Sequence, residues 1–294
     1  MAYRWTADSI GNATLLDESR RVTVIRSPSV SRFSLVKSLS ELVRYRDLLY
    51  TLTAHRIKVR YKQSILGISW AIIQPISMML MFTVVFSLIA RMPSGGVPYA
   101  IFAYVALLPW NVFSSSVTNA TGGLVSHSQL ITKVYFPREI LPITYVLAAL
   151  VDFLIGSTAL AVMMIYYRVP LTATALYALP IVAVLTLFSL SISLILAATH
   201  VRFRDIGMAM PLLLQLWMFA TPIIYPVSAV PERLRTFYSL NPLVPIIESF
   251  RQVLLLGTTP DFGPLGRSCL ISIILLVASY LYFKRVEATM ADVI

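Results

Sequence analysis

Long apolar stretches separated by short polar ones dominate the chain from residue 68 onward. They cover residues 68–90, 99–121, 140–167, 173–199, 207–226 and 265–283. Crossing a hydrocarbon layer of about 30 Å takes about 20 apolar residues in a helix. Five stretches meet that length and one is marginal. Arg267 lies near one end of the last stretch, where it can snorkel to the interface. None alternates with period two, as a barrel strand would. Backbone groups in lipid must be satisfied within the segment, which leaves helices. The pattern predicts an all-α integral membrane protein with six transmembrane helices.

Two further elements flank these spans. Ser38 and Glu41 have capping-box spacing, and Leu39, Leu42, Tyr45, Leu49 and Leu52 then fall on one helical face. Arg44, Arg46, Asp47 and Lys58 lie mostly elsewhere. Residues 35–64 therefore read as an amphipathic helix, lying in the membrane interface or packed on a partner. Residues 227–256 contain Pro231, Pro242 and Pro245 and are too irregular to cross. One short helix can open at Pro231, break at Asn241-Pro242, and be followed by a second over 244–256 that stops at Gly257. This predicts a re-entrant helical hairpin at about 227–257, dipping in from the extracellular side. The expected layout is a polar, disordered cytoplasmic N-terminus (1–34), the interface helix (35–64), the transmembrane domain (65–285) and a cytoplasmic tail (286–294).

Composition agrees with lipid as the solvent: 57% of residues are hydrophobic and only 13% charged, against about 25% charged in soluble domains. The net charge of +11 does not indicate nucleic acid, because the cations flank apolar stretches instead of coating a soluble domain. With the N-terminus inside, 18 Lys and Arg fall on the inner side and 6 on the outer, 12 of them in residues 1–64. That excess places both termini in the cytoplasm. Residues 1–34 lack the apolar centre of a signal peptide. The single cysteine, Cys269, sits in an apolar run. His55, His127 and His200 are too dispersed for a metal site, and no catalytic triad or paired-carboxylate spacing is present.

Several polar groups stand out against this background. Arg56, Lys58, Arg60 and Lys62 abut the first span and suit either an anion contact or plain anchoring. Residues 126–139 mix polar and apolar positions and can form a brief amphipathic helix ending at Phe136, before Pro137. Such a tip can dock into a soluble partner or be an ordinary loop. The loop at Arg202, Arg204 and Asp205 is a smaller tip of the same kind, where Asp205 can neutralise one of the arginines. Asp152 lies in the middle of an apolar stretch, where an ionised group costs about 2.5–3.5 kcal/mol on insertion scales. It pairs within the bundle, is protonated, or couples proton movement.

Certain segments carry a resemblance. They are Arg60-Tyr61-Lys62-Gln63-Ser64-Ile65-Leu66-Gly67 with Trp70 and Gln74-Pro75, then Leu108-Pro109-Trp110 with Phe113, then Leu130-Ile131 and Lys133 through Pro142. Arg202 through Ile206, Thr221 through Pro226, Asn241-Pro242 and Phe250-Arg251 follow in order. Over residues 35–285 the chain resembles the ABC-2 family of ATP-driven export permeases, in particular the branch that moves lipid-linked polysaccharides such as O-antigen, capsule and teichoic acid chains.

The resemblance implies a homodimer in the bacterial cytoplasmic (inner) membrane, bound to a separate ABC ATPase. This chain carries no Gly-rich phosphate loop, so ATP and Mg would be bound by the partner and no cofactor is expected here. It also implies that Gln129, Leu130, Lys133, Val134, Tyr135, Phe136, Arg138 and Glu139 dock on the ATPase, helped by Arg202, Arg204 and Asp205. Arg60, Tyr61, Lys62 and Gln63 would meet the substrate headgroup. Trp70, Tyr104, Trp110, Phe113, Ser114, Trp217 and Tyr225 would line the channel or pack as ordinary core. Asn111, Ser115, Ser116 and Asn119 can add hydrogen bonds for sugars. A permease for a small lipid or drug, a membrane enzyme acting on polyprenyl-linked sugars, and an ion-coupled carrier are the alternatives.

Overall fold

The structure, a computed structural model, describes residues 43–62 and 64–293. The polar N-terminus, Ser38, Leu39, Glu41, Leu42 and Gln63 lie outside the described residues. The described residues form helices and no strand. The first are α1 (Arg46–Lys62), α2 (Gly67–Ile89), α3 (Tyr99–Ser126), α4 (Ser128–Lys133) and α5 (Ile140–Tyr166). The others are α6 (Ala178–Arg202), α7 (Asp205–Phe219), α8 (Glu232–Leu240), α9 (Leu243–Arg251) and α10 (Phe262–Val293). Five are long and apolar enough to cross a membrane: α2, α3, α5, α6 with its leading turn, and α10.

The helix expected over 207–226 is shorter than the sequence pattern suggests. α7 has 15 residues, or about 22 Å of helix against about 30 Å of hydrocarbon. Its end follows from Pro222, which cannot donate to a helical ladder and disfavours helical geometry at Thr221. The brief helix expected to reach Phe136 also ends early, at Lys133. Val134 turns extended (φ −128°, ψ 132°) and Phe136 is buried in the core. The last helix, by contrast, runs past Phe283 to Val293.

α3 is the axis of the bundle. Its apolar side chains point in all directions, which suits only a buried helix, and 78% of its apolar window is buried, against 17% for α2 and for α10. It packs on α5, α6, α2, α7 and α9. Pro109 lies inside it, and further along hydroxyls bond back to the preceding turn: Ser115 Oγ donates to Asn111 O (2.6 Å) and Thr121 Oγ1 to Val117 O (2.7 Å). One core surrounds its centre, with Ile101, Tyr104, Phe113, Phe188 and Ile246. A second lies at the α4 end, with Leu124, Phe136, Ile140, Leu194 and Phe283. Half-buried Tyr45, Leu49 and Leu52 of the predicted apolar stripe, joined by Leu48, cover this second core. The two short helices α8 and α9 meet at Asn241-Pro242. A π turn at Gln252–Leu256 extends α9, and Gly257 ends it in the left-handed region, φ 64°.

Two adjacent glycines on α3 make a paired test of this packing. A Cβ at Gly123 would lie 2.2 Å from Tyr145 Cε2, whereas a Cβ at Gly122 meets nothing within 4 Å. Gly122→Ala should gain up to ~1 kcal/mol from helix propensity alone. Gly123→Ala should lose ~1–3 kcal/mol by overpacking. Thermal unfolding of the purified protein at one fixed scan rate should order the variants as Gly122→Ala, wild type, Gly123→Ala.

Candidate functional site

Asp152 sits near the middle of α5, and its partners come from the last turn of α1. Arg60 Nη1 pairs with Asp152 Oδ2, and Tyr61 Oη donates to Oδ1 at 2.5 Å. Two donors on one carboxylate offset the cost of an ionised group at this depth. Burial pushes the Tyr61 phenol well above its ordinary range, and the hydrogen bond and charge of Asp152 push it further. Tyr61 therefore stays a protonated donor. One turn back, Arg56 Nη2 donates to Asn119 Oδ1 (2.7 Å) and its guanidinium lies 4.7 Å from the centre of the Tyr145 ring. Arg56 and Arg60, four residues apart, fasten the same face of α1 onto α3 and α5.

Beside this junction opens a cavity of about 300 Å³ between α2, α3 and α5. Its polar wall includes Arg60, Gln74, Asn111, Ser114, Thr118 and Asp152. Asn111, Ser114, Ser115 and Thr118 repeat at helical spacing and form a polar stripe along one side of α3. Ser115 and Asn119 bond within the chain. Gln74, Asn111 and Thr118 have no side-chain partner among the described residues, so their hydrogen-bonding groups are available to a ligand. The volume lies at the low end of the ~300–1,000 Å³ usual for ligand sites.

A second charged cluster stands at the α4 end. Glu139, fully buried, accepts from Lys284 Nζ (2.8 Å) and Tyr280 Oη (3.2 Å). Lys284 also donates to Glu287 Oε2 (2.8 Å), and Arg138 Nη1 donates to Glu287 O (2.7 Å). Burial, then the charge of Glu287, pushes the Glu139 carboxyl above its ordinary range, against the pull of Lys284. The segment before α5 is thereby clasped to the last turns of α10.

A profile described as "ABC-2 type transporter" matches residues 47–255. The chain belongs to the ABC-2 type transporter family. Among similar proteins is an O-antigen export system permease protein, RfbA, of Myxococcus xanthus, 33% identical over 88% of this chain and 99% of the relative. A permease of the same description from Klebsiella pneumoniae is 28% identical over 84% and 95%. The polysialic acid transport protein KpsM of Escherichia coli is 23% identical over 80% and 92%.

The structure distributes the expected site residues of this ABC-2 protein unevenly. Arg60, Tyr61 and Ser114 gather at the cavity or its junction, whereas Lys62 is exposed beyond it. Tyr104, Trp110 and Phe113, expected to line the channel or pack as ordinary core, are buried inside the chain. Tyr104 Oη donates to Gly156 O (2.9 Å), and Phe113 stacks on Phe188 with ring centres 5.5 Å apart. Trp217 Nε1 bonds Asn241 Oδ1 (3.2 Å), Tyr225 Oη bonds Phe219 O (2.5 Å), and Trp70 is exposed at the start of α2. On the segment expected to dock, Gln129, Lys133, Val134 and Tyr135 are exposed and Leu130 is half-buried. Phe136 and Glu139 are buried, and Arg138 is held by Glu287, so these three secure the segment. Arg202, Arg204 and Asp205 are exposed, and Asp205 pairs with neither arginine.

Sequence reasoning missed Lys284, Glu287 and Tyr280, because charges at the end of a span read as flanking anchors. It also missed Thr118 and the use of Arg56. Arg251, counted as an outer flank, is buried and donates to Glu248 (2.9 Å) and to Pro222 O (2.9 Å).

Lys284→Met leaves two acidic groups in a buried cluster without their cation. Breaking such a pair costs about 3–5 kcal/mol, so the variant should unfold at a markedly lower temperature. Lys284→Arg should recover most of the loss, and equal unfolding of Lys284→Met and wild type would remove the clasp from the fold's essential contacts.

Proposed function

We propose that this chain is the membrane permease subunit of an ATP-driven exporter of lipid-linked polysaccharide. It works as two copies with a separate ABC ATPase, which binds ATP and Mg, in the bacterial inner membrane. The observation that carries this reading is the cavity. It sets one guanidinium and a row of amides and hydroxyls among membrane-length helices. Asn, Gln and Thr side chains offer both donors and acceptors, as sugar hydroxyls require. Leu108 and Phe153 on the same wall suit the C–H faces of sugar rings. Arg60, with Tyr61 beside it, suits the phosphate that joins glycan to lipid. The relatives' names, O-antigen export permease and polysialic acid transport protein, support the substrate class.

The proposed topology has six crossings with both termini in the cytoplasm, supported by the bias of Lys and Arg. The sixth crossing is α7 together with 220–226, and α8 with α9 is the extracellular re-entrant pair. Exposed Gln129, Lys133, Val134 and Tyr135 dock on the ATPase, and the Arg202–Asp205 turn adds to that surface. Their exposure beside buried Phe136 and Glu139 supports a rigid docking tip.

The test uses Lys133→Glu combined with Val134→Asp, which changes exposed positions only. Loss of about 2 kcal/mol or more at the interface, roughly thirtyfold in partner affinity, should abolish partner-dependent ATP turnover coupled to export. Surface polysaccharide should fall while the permease is still present in the membrane. A wild-type chain that binds no ABC ATPase would overturn the reading.

A further inference from the structure

We infer that Asp152 is a built-in competitor for the anionic group that the cavity receives, and that it sets how readily that group is released. The inference rests on the proposed function only for the source of the anion. The site itself rests on Arg60, Asp152 and the cavity they share.

The argument starts from Arg60. A guanidinium carries several N–H donors in a planar fork, and this one makes a single hydrogen bond among the described residues, to Asp152. Its side chain is 43% exposed, while that of Asp152 is 17% exposed. The remaining donors are open to a phosphate, which accepts Arg in bidentate fashion. Gln74, Asn111 and Thr118 add neutral donors in the same cavity. Such a site by itself favours tight capture of a sugar phosphate.

A transport site has the opposite need, since a ligand must bind well enough to enter and weakly enough to leave. Asp152 supplies the second half. Its carboxylate already occupies Arg60 and repels any anion that shares the cavity. Its hydrogen bonds also hold Arg60 and Tyr61 in position while the cavity is empty, so no unpaired cation waits at membrane depth. Asp152 is thus a positioning and specificity residue, with Arg60 as the group that touches the ligand. The neutral amide donors beside it are insensitive to its charge, so the effect falls on the phosphate and not on the sugar.

The experiment compares wild type with Asp152→Asn, which keeps the shape and an acceptor for Arg60 but removes the charge. The full-length permease is held in amphipol, free of phospholipid and sugar detergent. Glucose 1-phosphate is titrated by phosphorus NMR line broadening, and methyl glucoside by proton saturation transfer. Asp152→Asn should bind glucose 1-phosphate about tenfold more tightly, the size expected for removing one like charge in a partly screened site. Methyl glucoside binding should not change. In cells the same variant should export less polysaccharide at equal permease level. A purely structural Asp152 predicts weaker or unchanged phosphate binding by folded Asp152→Asn, and that result overturns the inference.

Should Asp152→Asn fail to fold, the double variant Arg60→Gln with Asp152→Asn removes both charges together. It should bind the phosphate and the neutral glucoside alike, whereas a retained preference for phosphate would overturn the inference. None of these titrations contains the ATPase. A permease that shows the binding shift yet joins no ATPase therefore loses the proposed export function and keeps the site.

Discussion

One carboxylate in an apolar bundle organises the side of the molecule that holds the polar cavity. Asp152 cannot be left ionised and alone at the middle of α5, because hydrocarbon offers no water to solvate it. Arg60 and Tyr61 answer that need from the end of α1, so α1 must lie against α5. Once it lies there, Tyr45, Leu48, Leu49 and Leu52 cover the second core, and Arg56 reaches Asn119 and the face of Tyr145. The amphipathic helix is therefore fixed at both ends by different physics, ion pairing at one and apolar burial at the other.

α3 imposes the second constraint. A helix enclosed on nearly all sides can still carry a polar stripe if that stripe faces an unfilled space. Asn111, Ser114, Ser115 and Thr118 provide it, and the cavity is the space. Aromatic side chains on the other faces of α3 pack into the core: Phe113 touches both Phe188 and Trp217. Polar cavity and aromatic core are thus two faces of one helix, and substitutions on the core face affect the cavity through packing.

This explains what the sequence could and could not reveal. Five spans were legible because length and hydropathy suffice for them. The break at Asn241-Pro242 and the stop at Gly257 were legible because Pro and Gly act locally. The faces of α3 were not, since a helix apolar all round carries no periodic signal of which side meets a cavity, and Tyr104, Trp110 and Phe113, buried in the core, could not be told by pattern from the cavity-facing positions. α7 was read too long because residues up to Pro226 are apolar, although Pro222 and Thr221 end the helix. Arg60 and Asp152 each stood out alone, but their 92-residue separation hid that they are one site. Lys284 and Glu287 were hidden for the same reason.

The two charged sites also share a helix. α5 begins directly after Glu139, which is clasped by Lys284 and Tyr280, and it carries Asp152 about 20 Å further along at 1.5 Å per residue. Between them α5 has no proline beyond its first turn and no break in its helix. A continuous helix of this length transmits displacement or rotation as a rod, with little loss to bending. The segment proposed to dock on the ATPase ends where that rod begins, and the wall of the cavity contains the far point. A shift of the clasped segment before α5, with α10 held still, would either break the ion pair between Glu139 and Lys284 or move Asp152 relative to the stripe on α3. Because the broken pair would leave Glu139 buried and uncompensated, the lower-cost response is movement of α5 with its clasp intact. That movement would alter the spacing between Arg60, Asp152 and the α3 stripe, so the proposed docking at the α4 end would act on the cavity.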